Sequence, residues 1–169
     1  MIPAPLPPDE DRRHAALSAL HVLDSKSDPE LDALVERAAR LLDAPIALVS
    51  LVDADRQWFL SRYGLDASET PRDVSFCGHA ILRDGALVVP DATRDERFHD
   101  NPLVTGGPRV VSYAGAPLTL PDGSAVGTLC VIDHGPRQHS ADEIELLYVL
   151  RDAVVDRLVA LAAERGPAR

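Results

Sequence analysis

Apolar positions follow the helical period most closely from Leu31 through Leu34, Val35, Ala38, Ala39 and Leu42, a stripe three and four residues apart. Asp28 before Pro29 and Glu30 supplies a cap, a proline at the first turn and an acid at the positive end of the helix dipole, so a helix is predicted over 28–43. Ahead of it, Ala16, Leu17, Leu20 and Leu23 share one face of a helix over 9–23, with Asp9 or Asp11 as its cap. The strongest helical signal closes the chain. Ser140 with Glu143 forms a capping box, and Leu147, Leu150, Val154, Leu158 and Leu161 make a stripe through a helix over 140–165. A second row, Val155, Val159 and Ala162, widens that face beyond what one sheet covers, so a partner helix is expected.

Between these helices the pattern changes to strands. Ile46 to Val52 is a continuous apolar run and reads as a central strand; Asp53 to Arg56 turns it into Gln57–Gly64, which is more polar and is assigned to an edge. Residues 65–74 read as loop. Ser75 caps a short helix over 76–82, Gly85 to Pro90 is a short strand, Asp91 to Asp100 a charged loop, and Asn101-Pro102 opens about one helical turn. Two further apolar runs, Val110–Leu120 and Ala125–Ile132, flank Pro121-Asp122-Gly123-Ser124, a tight turn by composition. Both are apolar on both alternating faces, which places this hairpin inside a sheet covered on each side. Gly115 and Gly127 leave space above the strands for another backbone or a small molecule. With the strands adjoining in hairpins, the fold class is α+β, a largely antiparallel sheet with helices on its faces.

Composition narrows the function. With 169 residues, 46% hydrophobic and 26% charged, the chain suits one soluble domain, 9–165, behind a mobile proline-rich tail at 1–8. A net charge of −10 argues against nucleic-acid and anionic-membrane partners. No apolar run approaches the roughly 20 residues of a membrane span, and the start lacks the pattern of a secretion signal. Two cysteines, Cys77 and Cys130, suit a reducing cytoplasm.

Candidate chemistry gathers in the middle of the chain. Cys77 follows a helix cap, where the dipole favours thiolate, with His79 two residues on; the competing reading is a small buried residue under the sheet. Cys77-x-His79 with Cys130-x-x-x-His134 has the ligand types of a zinc site but neither spacing, so no metal is assigned. Asp91, Asp95, Arg97, Asp100 and Asn101 crowd one loop, either as polar ligand contacts or as local turn chemistry with Asn101 capping Pro102. The candidate pocket lies between the central hairpin and a cover from Phe76 to Asn101, lined by Phe76, Cys77, His79, Asp91, Asn101, Tyr113 and Cys130.

In order along the chain, Ala16-Leu17 and Val22-Leu23-Asp24-Ser25, Asp53 with Arg56-Gln57-Trp58-Phe59, Phe76-Cys77-Gly78-His79-Ala80-Ile81, Asp95 to Val104, Tyr113 to Leu118 and Gly127 to Asp133 together resemble bacterial GAF domains, the sensor modules found ahead of histidine kinase or diguanylate cyclase domains. The resemblance implies five or six antiparallel strands, terminal helices packed on one face and commonly dimerising, and a small-molecule pocket on the other. Bilin-binding relatives use a cysteine usually followed by histidine, whereas here Cys77 precedes glycine and Cys130 precedes valine; cyclic-nucleotide binders carry an Asn-Lys pair that is absent, Lys26 being the only lysine. Neither cofactor is therefore expected. The implied function is a non-catalytic sensor, with the signal unknown and a kinase or cyclase as output; no output domain follows in this sequence, which reads as free-standing or excised. The alternative is a thiol enzyme or redox switch centred on Cys77, resembling the free methionine-R-sulfoxide reductases, although no second cysteine lies between Asp91 and Pro108.

Overall fold

A computed structural model describes residues 1–165. Six strands form one antiparallel sheet: β1 (Ile46–Val52), β2 (Arg56–Tyr63), β3 (Glu69–Pro71), β4 (Leu87–Val89), β5 (Ser112–Thr119) and β6 (Ala125–Asp133), in the order β3-β2-β1-β6-β5-β4. β1 and β6 are central and apolar on both faces, because each face is covered. Alternate residues divide between two cores. Ala47, Val49, Leu51, Ala114, Ala116, Leu118, Leu129 and Val131 face α1 (Glu10–Ser18), α2 (Pro29–Leu41) and α5 (Ala141–Arg165). Leu48, Val52, Tyr113, Cys130 and Ile132 face α3 (Phe76–Ala80) and α4 (Pro102–Thr105).

Helix ends follow their local chemistry. Asp28 accepts from Leu31 N, Ser75 from Gly78 N and Asn101 from Leu103 N, and Ser140 with Glu143 closes a reciprocal capping box. In the β5–β6 turn Asp122 accepts from Ser124 N at 2.9 Å and Gly123 takes φ 91°, which glycine adopts without a Cβ clash.

Three expectations change. The first helix stops at Ser18 rather than 23, because Leu20 and Val22 are both buried and residues two apart do not share a helix face; left-handed φ at His21 (54°) and Asp24 (60°) makes the turn. Asp9 stands at its N-cap without a side-chain bond. β2 is not an edge: three residues assigned to loop form β3, whose Thr70 lies opposite Gln57, and Pro71 sits where an edge strand tolerates it. The second row of α5 is not wholly unpartnered, since Val155 and Ala162 pack half-buried against the core while Val159 stays 40% exposed. Residues 1–8 run as a strap over α3, with Ile2 N bonded to Arg97 O at 3.0 Å and Pro7 buried.

Candidate functional site

Ser75 opens α3 against the pocket face of the sheet, and its Oγ sits where a Cβ on residue 78 would fall 2.7 Å away, so Gly78 permits the cap. α3 then aims Phe76 and Cys77 downward. The Phe76 ring stacks on Phe98 (centroids 3.9 Å apart, planes within 8°) and meets Tyr113 at 5.2 Å. The Cys77 Sγ lies 3.0 Å from Thr128 Oγ1 and 3.2 Å from Tyr113 Oη. Burial pushes the Cys77 thiol up, but the neighbouring Cys130 thiol and the hydrogen bonds with Thr128 and Tyr113 outweigh it and hold the group down at about 7. Tyr113 is pushed up, first by burial and then by the Cys77 charge, and Cys130 by its hydrogen bond to Cys77 and by burial.

Beside this cluster is a cavity of about 120 Å³. Leu48, Phe59, Tyr113, Cys130 and Ile132 form its floor, Phe76 and Cys77 one wall, and Leu103, Gly107, Pro108 and Val110 another. Leu65, Ala67, Thr70 and Gln57 complete it on the β2–β3 side. No Asp, Glu, Lys, Arg or His side chain among the described residues lines it. Among the described residues no group of three or more His, Cys, Asp or Glu is placed to hold a metal ion, and no helix is long and apolar enough to cross a membrane.

A sheet of this order, with a small cavity under short helices and long terminal helices behind, coincides with a match of residues 28–157 to the GAF domain family model. The chain belongs to the GAF domain family. It is 46% identical over 137 residues to a cyclic di-GMP phosphodiesterase of Pseudomonas aeruginosa, a match covering 81% of this chain but 23% of that protein. The chain thus spans about a quarter of the length of that curated relative. Solved structures of low identity share the fold. The GAF domain of Acinetobacter phosphoenolpyruvate-protein phosphotransferase superposes with TM-score 0.60 (16% identity; 90% of this chain, 94% of that one). The Thermosynechococcus elongatus PixJ GAF domain gives 0.62 (19%; 95% of each), and the Neisseria meningitidis free methionine-R-sulfoxide reductase 0.61 (17%; 98% and 99%).

Of the seven candidate residues, this GAF domain brings Phe76, Cys77, Tyr113 and Cys130 to the cavity. His79, Asp91 and Asn101 are placed elsewhere. His79 Nε2 donates to Ile2 O at 2.8 Å and its ring edge meets Phe98, so it anchors the strap; burial pushes its imidazole down. Asp91 caps the 3-10 turn Ala92–Arg94 through Thr93, and Asn101, 1% exposed, caps α4 and donates to Val74 O at 3.0 Å. His134 is also remote, its Nδ1 at Arg109 O.

The glycines act differently from the expectation. A Cβ on Gly115 would strike the Tyr113 ring, 2.6 Å from Cζ, so the space there is occupied by the phenol. One on Gly127 would meet the Ser50 carbonyl and lie 2.9 Å from Leu51 Cα, so that glycine admits the β1 backbone. The cavity comes instead from the β2–β3 side and the α4 lid. Gln57 and Thr70 are the polar residues missed there; the available signal was a lone amide two positions before Phe59, on the same face of the strand.

Proposed function

We propose that this chain is a non-catalytic sensing domain: a small molecule occupies the cavity beside Phe76, Cys77, Tyr113 and Cys130, and its presence is passed through the sheet to α5. The observation that carries this reading is the apolar cavity lying on the face opposite the terminal helices, with single strands serving both. Tyr113 faces the pocket, while its neighbours Ala114 and Ala116 pack beneath the helices and Pro117 O accepts from Arg151 of α5 at 2.9 Å. A small displacement of Tyr113 therefore bears directly on α5. The output is a signalling enzyme of the cyclic di-GMP phosphodiesterase, diguanylate cyclase or histidine kinase kind, the site of action is the cytoplasm, and nucleic acid and membrane are not partners. Native mass spectrometry of the purified protein tests the reading. A retained molecule, lost when Ala67→Trp fills the cavity, supports it; no retained molecule and no binder in a metabolite screen overturns it.

The assembly proposed with it is a homodimer through the terminal helices. Val149 and Val159 of α5 are 63% and 40% exposed, and Ala153 and Ala160 line a groove against Ala33 and Leu34 of α2. A two-fold dimer buries the same surface on both copies. Sedimentation of the wild type as a dimer, and of Val159→Glu with Ala160→Glu as a folded monomer, is the expected result; a wild-type monomer at micromolar concentration removes it.

One observation favours a second reading. Cys77 lines the cavity, with Thr128 Oγ1 and Tyr113 Oη at its sulfur to favour a thiolate. Turnover of methionine sulfoxide with a thiol reductant, lost in Cys77→Ser, would replace the non-catalytic reading with this one.

A further inference from the structure

The cavity has one polar corner, and it is incompletely bonded. Gln57, 5% exposed, donates from Nε2 to Thr70 Oγ1 at 3.0 Å, while its Oε1 has no hydrogen-bond partner among the described residues. Both residues line the cavity. Buried side-chain amides ordinarily satisfy such atoms, and an orphaned one calls for an explanation. Turning the carboxamide over does not remove the orphan: Thr70 then donates to Oε1 and Nε2 is left without an acceptor. In either orientation the corner presents one free amide atom, together with the remaining hydrogen-bonding capacity of the Thr70 hydroxyl.

Apart from Cys77, Cys130 and Tyr113, the rest of the wall is apolar. Leu48, Phe59, Phe76, Leu103, Val110 and Ile132 surround a space of about 120 Å³; no ionised Asp, Glu, Lys, Arg or His offers a counter-charge, and the Cys77 sulfur is already engaged by Thr128 and Tyr113. An ion placed there would lose its hydration without repayment. A protein cavity of roughly 150 Å³ holds one benzene ring, so the bulk that fits is that of about one ring, and nucleotide-sized or tetrapyrrole-sized molecules do not.

We infer that the cavity takes an uncharged molecule of about one ring's bulk whose single hydroxyl seats on Gln57 and Thr70. A hydroxyl donates and accepts, so it matches the corner in both orientations of the amide, which a pure donor or a pure acceptor does not. This rests on the reading of the cavity as the sensor's ligand site and names its ligand class. Cys77 and Tyr113 lie on the opposite side of the space, hydrogen-bonded to Thr128 and to each other, and need no ligand atom.

Phenol, toluene and benzoate serve as probes of hydroxyl, bare ring and charge, titrated into the whole chain and followed by amide and methyl NMR shifts. Phenol should shift Leu48, Phe59 and Ile132 and bind at least tenfold more tightly than toluene, with benzoate showing no saturable shift. In Gln57→Met, whose dispersed spectrum reports its fold, phenol should weaken to the level of toluene while toluene changes less than threefold. Thr70→Val, at an edge strand, should move phenol in the same direction and stands in if the first variant does not fold. Equal binding of phenol and toluene, preference for benzoate, a phenol preference unchanged in both variants, or no binding of any probe overturns the inference. Native mass spectrometry of the same preparation separates the two failures: a retained charged or larger molecule sinks this ligand class and leaves the sensor standing, whereas no retained molecule and no bound probe sinks both.

Discussion

Asp28 caps α2 with one carboxylate and, with the same carboxylate, grips Arg157 of α5: Oδ2 accepts from Leu31 N at 3.2 Å, and the two oxygens accept from Arg157 Nε and Nη2 at 2.9 Å each. The guanidinium beside Asp28 is the main reason its carboxyl lies below the ordinary range, with the Leu31 amide adding to it against burial. One residue thus starts one terminal helix and fastens it to the other.

Asp28→Ala should therefore lose a cap and break a largely buried bidentate pair together, about 3 kcal/mol of stability. Asp28→Asn, which retains the cap, should lose less. Because the folded carboxyl is depressed, the pair stabilises above the unfolded value near pH 4 and its contribution falls as pH drops through the lower folded value. Urea denaturation of both variants at pH 7 and pH 3 measures this; equal losses at the two pH values would contradict it.

Glu10 carries a second acid-sensitive contribution. Burial pushes its carboxyl up, but hydrogen bonds from Arg13 and Arg72 prevail and hold it at about 2. Arg13 is 1% exposed and donates to both Glu10 oxygens, at 2.8 and 2.9 Å. Glu10→Gln should cost on the order of 2 kcal/mol at neutral pH. The deficit should stay constant down to about pH 4.5 and vanish as pH approaches 2, where the wild-type carboxyl also takes up its proton. Thermal unfolding of the pair across that range is the check.

The two sheet glycines should respond unequally to alanine. At Gly127 the new Cβ meets the Ser50 carbonyl in the neighbouring strand, which cannot move without breaking the β1–β6 pairing. At Gly115 it meets the end of the Tyr113 side chain, which has another rotamer. Gly127→Ala should lose roughly 3 kcal/mol or more and Gly115→Ala about half of that. Gly115→Ala should also weaken the contacts of Tyr113 with Cys77, visible as an altered Tyr113 ring spectrum.

Cys77 should form a mixed disulfide, with release of sulfinate, at a midpoint near pH 7 when a small neutral thiosulfonate is used, while Cys130 stays unlabelled. Tyr113→Phe removes one donor to the sulfur and should raise that midpoint. Mass-resolved labelling between pH 5 and 9 decides it; a midpoint at or above 8.5 in the wild type would show that burial outweighs the donors.

The parts of this molecule that were legible in the sequence are those whose causes are local. As caps, Asp28, Ser75, Asn101 and the Ser140–Glu143 box each bond within four residues of themselves, and Asp122-Gly123 closes its own turn, so the caps and the hairpin could be read without knowing the rest. Continuous apolar runs at Ile46–Val52 and Ala125–Ile132 also announced strands covered on both faces, since each residue of such a run needs an apolar neighbour. What only the tertiary structure decided was which distant residues converge. β3 is three residues long and has no pattern of its own; it exists because β2 offers it an open edge, and only that pairing sets Thr70 beside Gln57. His79 was drawn away from the cavity by a strap 77 residues earlier, and Gly127 owes its identity to a carbonyl in β1 rather than to any space for a ligand. Local hydrogen bonding writes itself into adjacent residues, whereas a cavity is what remains after segments far apart in the chain have packed, and no short stretch of sequence contains it.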